Sequence, residues 1–474
     1  MFRFNGAATQ AVRSGPAVSD EIKEAQFSLR QQVKVAREKP RTSQYYTDLS
    51  SERQSEIDHA FRRLVRLANA LKVTSHLHGR GFYKRVQERP EWEKAASPLN
   101  RLDQIPISIL RRTRTYHKKT CMKDHRTKSL SGRGSSQNDY QDQFMTGINQ
   151  LQTWYDDHNG LWDSAWWPSA NIITMMADFQ EHFPSKIAPI TDQVFPNTLH
   201  QAPTVFPNFV NEYYDDELWW ALAWIKVYDV TSNPVYLDTA AAIFEDSKDM
   251  WGQTPCGGLW WDKQHTQINA VENELYLTTA AKLANRMPSN PSPYYYLNEA
   301  TKATAWFRNS GLINEHNLIN DGLNIDTCSN NGNFVFSYNQ GTILSGLLEL
   351  TWATQDRQYA NLAHTLAEAS ISALTDSEGI LHEPCEPNVC NSDEEQFKGI
   401  FIRNVQFLFS RDANIPESNA ALYKKFIQTN ADSIWTRDNA NGRLGLVWSG
   451  PNSEATVQTQ SSALDAIVSA ANVS

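Results

Sequence analysis

What this chain lacks narrows it quickly. No run of about eighteen apolar residues occurs in its 474 residues, so no segment is expected to cross a bilayer as a helix. The opening MFRFNGAATQAVRSGPAVSD is positively charged but has no apolar stretch. It therefore makes a poor secretory leader, and its Arg and Ala with no acid before Asp20 faintly resemble a transit peptide. The closing SALDAIVSAANVS carries no hydrophobic tail, so no lipid-anchor signal is expected. Cysteine is scarce, at five residues. Cys385 and Cys390 have neither a second C-x2-C type pair nor a His cluster to complete a zinc site, and no metal or cofactor is expected. Alternation of apolar and polar residues is nearly missing after residue 139, which argues against a sheet protein. Hydrophobic content of 40% still allows a sizeable globular core.

Charge is present but unevenly placed. Residues 1–135 hold 28 Lys and Arg against 13 Asp and Glu, whereas the remainder holds 16 against 40, so the net charge of -9 conceals two different pieces. In the basic piece, Ile57, Phe61, Leu64, Val65 and Leu71 are spaced along one face of an amphipathic helix. The run RRTRTYHKKTCMKDHRTK (111–128) could meet an anionic surface, but a basic run without a companion motif reads first as a solvated segment. No nucleic-acid partner is expected for the acidic piece. Four cysteines fall there as an even set, Cys256, Cys328, Cys385 and Cys390. Cys385 and Cys390 are close enough in sequence to bridge, and two disulfides would fit an oxidising compartment. Connectivity is not legible from spacing, and reduced structural thiols remain the alternative.

From residue 139 onward the pattern is helix after helix. Three stretches, VYDVTSNPVYLDTAAAIF, LANRMPSNPSPYYYLNEATKATAWF and LTWATQDRQYANLAHTLAEA, each run from a helix end through a polar turn into a Tyr-x-x-x-Ala start. The pairs are Tyr236/Ala240, Tyr296/Ala300 and Tyr359/Ala363. One helical hairpin per repeat is the natural unit, because an isolated amphipathic pair cannot bury its own face. Five to six hairpins fit the length, and six would close an all-α (α/α)6 toroid whose inner-helix starts face a central cleft.

The segments expected to line that cleft combine aromatic and polar residues: 160–171, 211–220, 256–275, 321–341 and 394–404. Trp rings beside Asn, Gln and Asp suit a sugar, whose C–H face stacks while its hydroxyls need paired polar groups. Within YYDDELWW (213–220), Asp215 and Asp216 stand side by side among four aromatic residues. Acidic residues in a first helical turn are favoured by the macrodipole and by capping, so a plain helix start is one reading of the pair. The other is two carboxylates working together on a glycosidic bond.

The blocks GLWDSAWWPSAN, NEYYDDELWWALAWIKVYDVTSN, CGGLWWD, NAVENELYL, SYNQGTILSGLLEL, FKGIFIRN and SSALDAI, in this order, resemble the motifs of glycoside hydrolase family 76, over about residues 145–470. That family comprises endo-α-1,6-mannanases and the fungal cell-wall mannosidases of the Dcw/Dfg type. The resemblance implies an (α/α)6 toroid that cleaves α-1,6-mannosidic linkages with retention, Asp215 being the nucleophile and Asp216 the general acid/base. It also implies an extracellular or cell-wall location, and α-1,6-mannan or a mannoprotein glycan as partner of a monomer. For sugar contacts we select Asp321 first, with a helix cap as its plain alternative, then Tyr338, Asn339, Gln340 and Asn171. Trp260 and Trp261 are expected to form a stacking platform, and Lys398 to orient a carboxylate or face water. Two departures stand out. Ile268 occupies a position where the family often has Lys, and residues 1–138 are not covered. They are read as a basic extension, either a gene-model fusion or an added domain, ahead of a catalytic domain over 139–474.

Rival readings differ at identifiable residues. A wall transglycosidase would use the same Asp pair, with a sugar hydroxyl replacing water. A sugar epimerase on the same toroid would need paired His bases, but His265 and His382 are scattered singly. A metal-dependent D-D-x-x-D enzyme fails because Trp219 holds the fifth position. A mannan-binding module without activity would not need both carboxylates.

Overall fold

The computed structural model describes residues 135–387 and 390–474. The amphipathic stretch at 50–71, the basic run at 111–128 and Cys121 lie outside them. Among the described residues there are twelve α-helices: α1 (Gln137–Leu151), α2 (Trp166–His182), α3 (Pro184–Gln201), α4 (Tyr214–Thr231), α5 (Pro234–Met250), α6 (Ala270–Arg286), α7 (Tyr295–Asn309), α8 (Ser337–Thr354), α9 (Arg357–Leu374), α10 (Phe397–Arg411), α11 (Glu417–Arg437) and α12 (Val457–Val473). Two short antiparallel hairpins interrupt them, Tyr155–Asp156 with Leu161–Trp162 and Asn439–Ala440 with Arg443–Leu444.

The even-numbered helices form a closed inner ring in which α2, α4, α6, α8, α10 and α12 each pack on the next and α12 returns to α2. The odd-numbered helices pack outside, and α1, the first in sequence, lies against α12, the last. The expected (α/α)6 toroid is therefore the fold. Inner helices are buried nearly all round, as in α6 and α8, whereas outer helices such as α9 keep one polar face. Two glycines let the ring close. A Cβ on Gly346 of α8 would come within 2.8 Å of the Thr278 backbone on α6, and one on Gly399 of α10 within 2.7 Å of the Ser462 backbone on α12.

The repeated polar turns are hairpin devices. After α4, Ser232 takes the left-handed conformation, the Asn233 side chain accepts from the Val235 N–H, and Pro234 opens α5. Asp356 caps α9 in the same way, after Gln355 in the left-handed region. Tyr236, Tyr296 and Tyr359 all fall in the first turn of outer helices, and the partner residues Ala240, Ala300 and Ala363 are fully buried. The internal repeat thus marks where each outer helix leans closely on its inner partner. Disulfides join Cys256 to Cys328 and Cys385 to Cys390. Both lie in the loops that precede inner helices, where hydrogen-bonded secondary structure is sparse.

Candidate active site

The Asp pair occupies the first turn of α4, behind an N-cap residue, Tyr213, that makes no side-chain cap. The chain entering α4 pairs with 261–263: Tyr213 bridges Asp262, the Tyr214 N–H donates to the Trp261 carbonyl, and the Lys263 N–H donates to the Glu212 carbonyl. This pairing fixes Trp261 over the helix start. Its indole Nε1–H donates to Asp215 Oδ2 at 2.9 Å, and the Asp216 N–H donates to Asp215 Oδ1 at 2.9 Å. Both Asp215 oxygens are therefore acceptors already, which favours its anionic form. Asp216 receives one such bond, from the Asn211 side-chain amide to Oδ2 at 2.7 Å.

Burial is the main force on both carboxyls and raises both. Asp215 is pulled back by Trp261 and the Asp216 N–H. Asp216 is pushed further up by the Asp215 charge, with Asp393 and Glu217 adding to it. Both carboxyls are raised, and the hydrogen bonds and the Asp215 charge set the order in which they ionise, Asp215 before Asp216.

Glu217, next in the chain, is paired with Lys263, but Asp321, Glu272 and Glu274 have no cation acting on them. Asp321 is brought in by backbone pairing, since the Ala270 N–H donates to its carbonyl and the Leu323 N–H to that of Ile268. Its carboxylate accepts from Asn339 Nδ2 at 3.3 Å, and burial raises its pKa. Glu272 caps the Asn269 N–H at 2.6 Å. Glu274 is fully buried with neither side-chain oxygen hydrogen-bonded, and burial holds both glutamates in the protonated direction. Tyr338 stacks flat on Phe397, at 3.8 Å between ring centres, and feels the charges of Asp321, Asp215, Glu272 and Glu274. It belongs at the centre of this acidic group.

Other selected residues have different employment. Gln340 is fully buried and spent on the loop before α8, accepting from the Ile319 N–H and donating to the Ile319 and Phe336 carbonyls. Asn171 is buried, with its oxygen bonded to Arg403, which also pairs with Asp465. Trp260 is 7% exposed and stacks on His265, so it offers little open face. Trp261 instead pairs with Tyr213 and bonds Asp215. Trp220 packs into the aromatic core with Trp166, Phe209 and Trp224. Trp219 stacks beside Trp167, which reaches Phe397 and donates to Asp393 at 2.9 Å. Lys398 is buried, bonds Glu386 at 2.5 Å and the Leu446 carbonyl at 2.6 Å, and lies over Trp448. It orients a carboxylate. Ile268 is fully buried, as an apolar residue there should be. His382 bonds Glu386 and Asp376, and His265 lies on Trp260, so the two form no pair of bases.

Sequence reasoning passed over Asn211, Trp167 and Asp393. Asn211 stands four residues before Asp215 inside a block already singled out, and the signal available was an amide at a helix entrance. Trp167 and Asp393 meet across 226 residues of sequence, which no local pattern reports.

Comparison with known proteins follows the same lines. A protein of Candida albicans named mannan endo-1,6-alpha-mannosidase DCW1 is 28% identical over 313 residues, which are 60% of this chain and 64% of that one. This chain therefore spans a little under two thirds of that relative. An α-1,6-mannanase variant from Salegentibacter sp. HEL1_6, described as inactive with two consecutive aspartates changed to asparagine and bound to α-1,6-mannotriose, superposes with a TM-score of 0.62 at 20% identity. The match covers 71% of this chain and all of that one. Dfg5 from Chaetomium thermophilum in complex with glucosamine gives 0.62 at 18% identity, covering 72% and 92%. The family profile of glycosyl hydrolase family 76 matches residues 134–473. With nearly all described residues inside that match, the chain belongs to glycosyl hydrolase family 76.

Proposed function

We propose that this protein is a retaining glycosidase that cleaves α-1,6-mannosidic linkages in mannan, acting at the cell wall or outside the cell. The observation that carries the reading is the unequal hydrogen bonding of two adjacent acids: Asp215 accepts on both oxygens and Asp216 on one. Asp215 attacks the anomeric carbon as the glycosidic C1–O6 bond breaks, and Asp216 gives its proton to the departing O6. Water then attacks C1 from the vacated side, loses a proton to Asp216, and releases the mannose unit from Asp215. We assign Asp321 and Tyr338 to sugar hydroxyls, with Asn339, which is fully buried, bonding the Asp321 carboxylate, and the Trp167–Phe397–Tyr338 group to the ring faces.

The substrate assignment is supported by the relatives, one named a mannan endo-1,6-α-mannosidase and one an α-1,6-mannanase. Among the described residues no helix is long and apolar enough to cross a membrane. The deciding experiment is proton NMR of the first products from α-1,6-mannan. Initial release of the α-anomer is expected. Initial β-anomer would remove the double displacement and leave the pair as a helix start. Added acceptor sugar in the same assay distinguishes water from a sugar hydroxyl as the second nucleophile.

A further inference from the structure

Asn211 is not part of α4, yet three hydrogen bonds tie it to the helix start. Its side-chain Oδ1 accepts the Tyr213 N–H at 3.0 Å, its Nδ2 donates to Asp216 Oδ2 at 2.7 Å, and its own backbone N–H donates to Glu217 Oε1 at 3.2 Å. Glu217 is fully buried and held by Lys263 at 2.7 Å, which also pairs with Asp246 at 2.9 Å. The amide orientation follows from these partners. Turning it over would set its NH2 against the Tyr213 N–H, donor against donor, so the oxygen must face Tyr213 and the nitrogen Asp216.

This geometry matters for a carboxylic acid that must deliver one proton from one oxygen. An N–H donor prefers the carbonyl-like oxygen of a protonated carboxyl, because the hydroxyl oxygen is the poorer acceptor. We propose that Asn211 is a positioning residue for proton transfer: by holding Oδ2 of Asp216 as an acceptor it keeps the transferable proton on Oδ1, aimed at the leaving glycosidic oxygen. When the C1–O6 bond breaks and the Asp215–C1 bond forms, that proton moves from Asp216 Oδ1 to O6. The new charge on Asp216 is then stabilised by the same amide. In the second half Oδ1 takes a proton from the water that displaces Asp215, which restores the starting state. The proposal rests on the glycosidase reading above and adds the group that decides which oxygen acts.

The groups facing Asp216 fix the expected pH response. They are Asp215 and Glu217 on α4, Tyr213 just before it and Asp393 from the loop before α10, with Lys263 behind Glu217. None donates to Asp216 in place of Asn211 among the described bonds. Removing a donor from a carboxylate raises its pKa, so the alkaline limb of kcat/KM, where the acid is lost, should move to higher pH. Loosening that merely admitted water would relieve burial and move the limb the other way.

The test is the pH profile of the full chain carrying Asn211→Ala or Asn211→Ser, with α-1,6-mannan and with an aryl mannoside whose leaving group departs unprotonated. The hydroxyl of Asn211→Ser can still accept the Tyr213 N–H, so it retains the local turn if Asn211→Ala does not fold, and it sets no further carboxyl against Asp216. The expected result is a loss of about 10–100-fold on mannan, a loss of less than about threefold on the aryl mannoside, and an alkaline limb moved up by about one pH unit. Equal losses on both substrates, or a limb that stays or falls, would overturn the positioning role. Those outcomes leave the glycosidase reading intact, whereas inactivity of the unaltered protein on both substrates would defeat that reading instead.

Discussion

The two ends of the inner ring are built from the same six helices and treat buried acids in opposite ways. At the end where the helices start, Asp215, Asp216, Asp321, Glu272 and Glu274 crowd together with no cation to offset their burial, which drives each toward its protonated form. At the other end, a cavity of about 240 Å³ is walled by acids that each have a base. Lys226 lies 2.8 Å from both Asp178 and Glu181, while Arg286 forks onto Asp229 at 2.6 and 2.7 Å and reaches Glu349 at 3.1 Å. Burial raises Glu181 as it does the others, yet Lys226 and Arg411 outweigh it and bring its pKa down to about 2. Depth alone therefore does not set the chemistry. Whether a cation was placed beside the carboxylate does: near the helix starts Lys263 serves Glu217 and Lys398 serves Glu386, but none serves the group around Asp215 and Asp216.

The contrast can be broken from either end. The largest effect is expected from Asp215→Ala, which should lower kcat/KM on α-1,6-mannan by at least about 10³-fold, several kcal/mol of barrier. The melting temperature should hold or rise, since an acid without a cation is removed from a buried group. Activity assays beside calorimetry check both halves, and unchanged activity would sink the catalytic assignment. Next in size, Arg286→Met at the opposite end should cost about 3–5 kcal/mol of stability, because Asp229 and Glu349 are left without their fork. Turnover by whatever remains folded should persist, and denaturant unfolding at fixed pH gives the figure.

A smaller change should come from pH. Burial pushes Glu383 up to about 8 and Asp438 up to about 7. The folded state then binds protons that the unfolded chain has released, so stability should fall by a few kcal/mol as pH rises from about 4.5 to 8. A melting temperature that climbs over this range would contradict the assignment. The smallest effect concerns the basic extension, for we propose that the toroid is self-sufficient. A shortened chain beginning at residue 135 keeps the Ser136 capping box of α1 and should melt within a few degrees of the full chain, with the same activity. Loss of a cooperative transition would place the extension in the core.

Much of the scaffold was legible because its signals are local. Tyr-x-x-x-Ala starts and the TSNP turn encode helix ends through caps and small residues, and these operate over four or five positions. The cleft was legible only as a set of segments. Trp260 and Trp261 are adjacent and alike in sequence, yet one is buried on His265 while the other donates to Asp215, because the pairing of the chain entering α4 with 261–263 turns them to opposite sides. Gln340 and Asn339 differ in the same way, one tying down a loop and the other meeting Asp321.

The sequence by itself determined the helical hairpins and the adjacency of Asp215 to Asp216, since periodicity, caps and neighbouring residues are written along the chain. Tertiary structure alone decided that the ring closes with α1 on α12, that Trp261 bonds Asp215 while Asn211 bonds Asp216, and that Cys256 meets Cys328. Those outcomes depend on distances between residues far apart in sequence and on which buried charges receive a partner, quantities that exist only once the chain has packed.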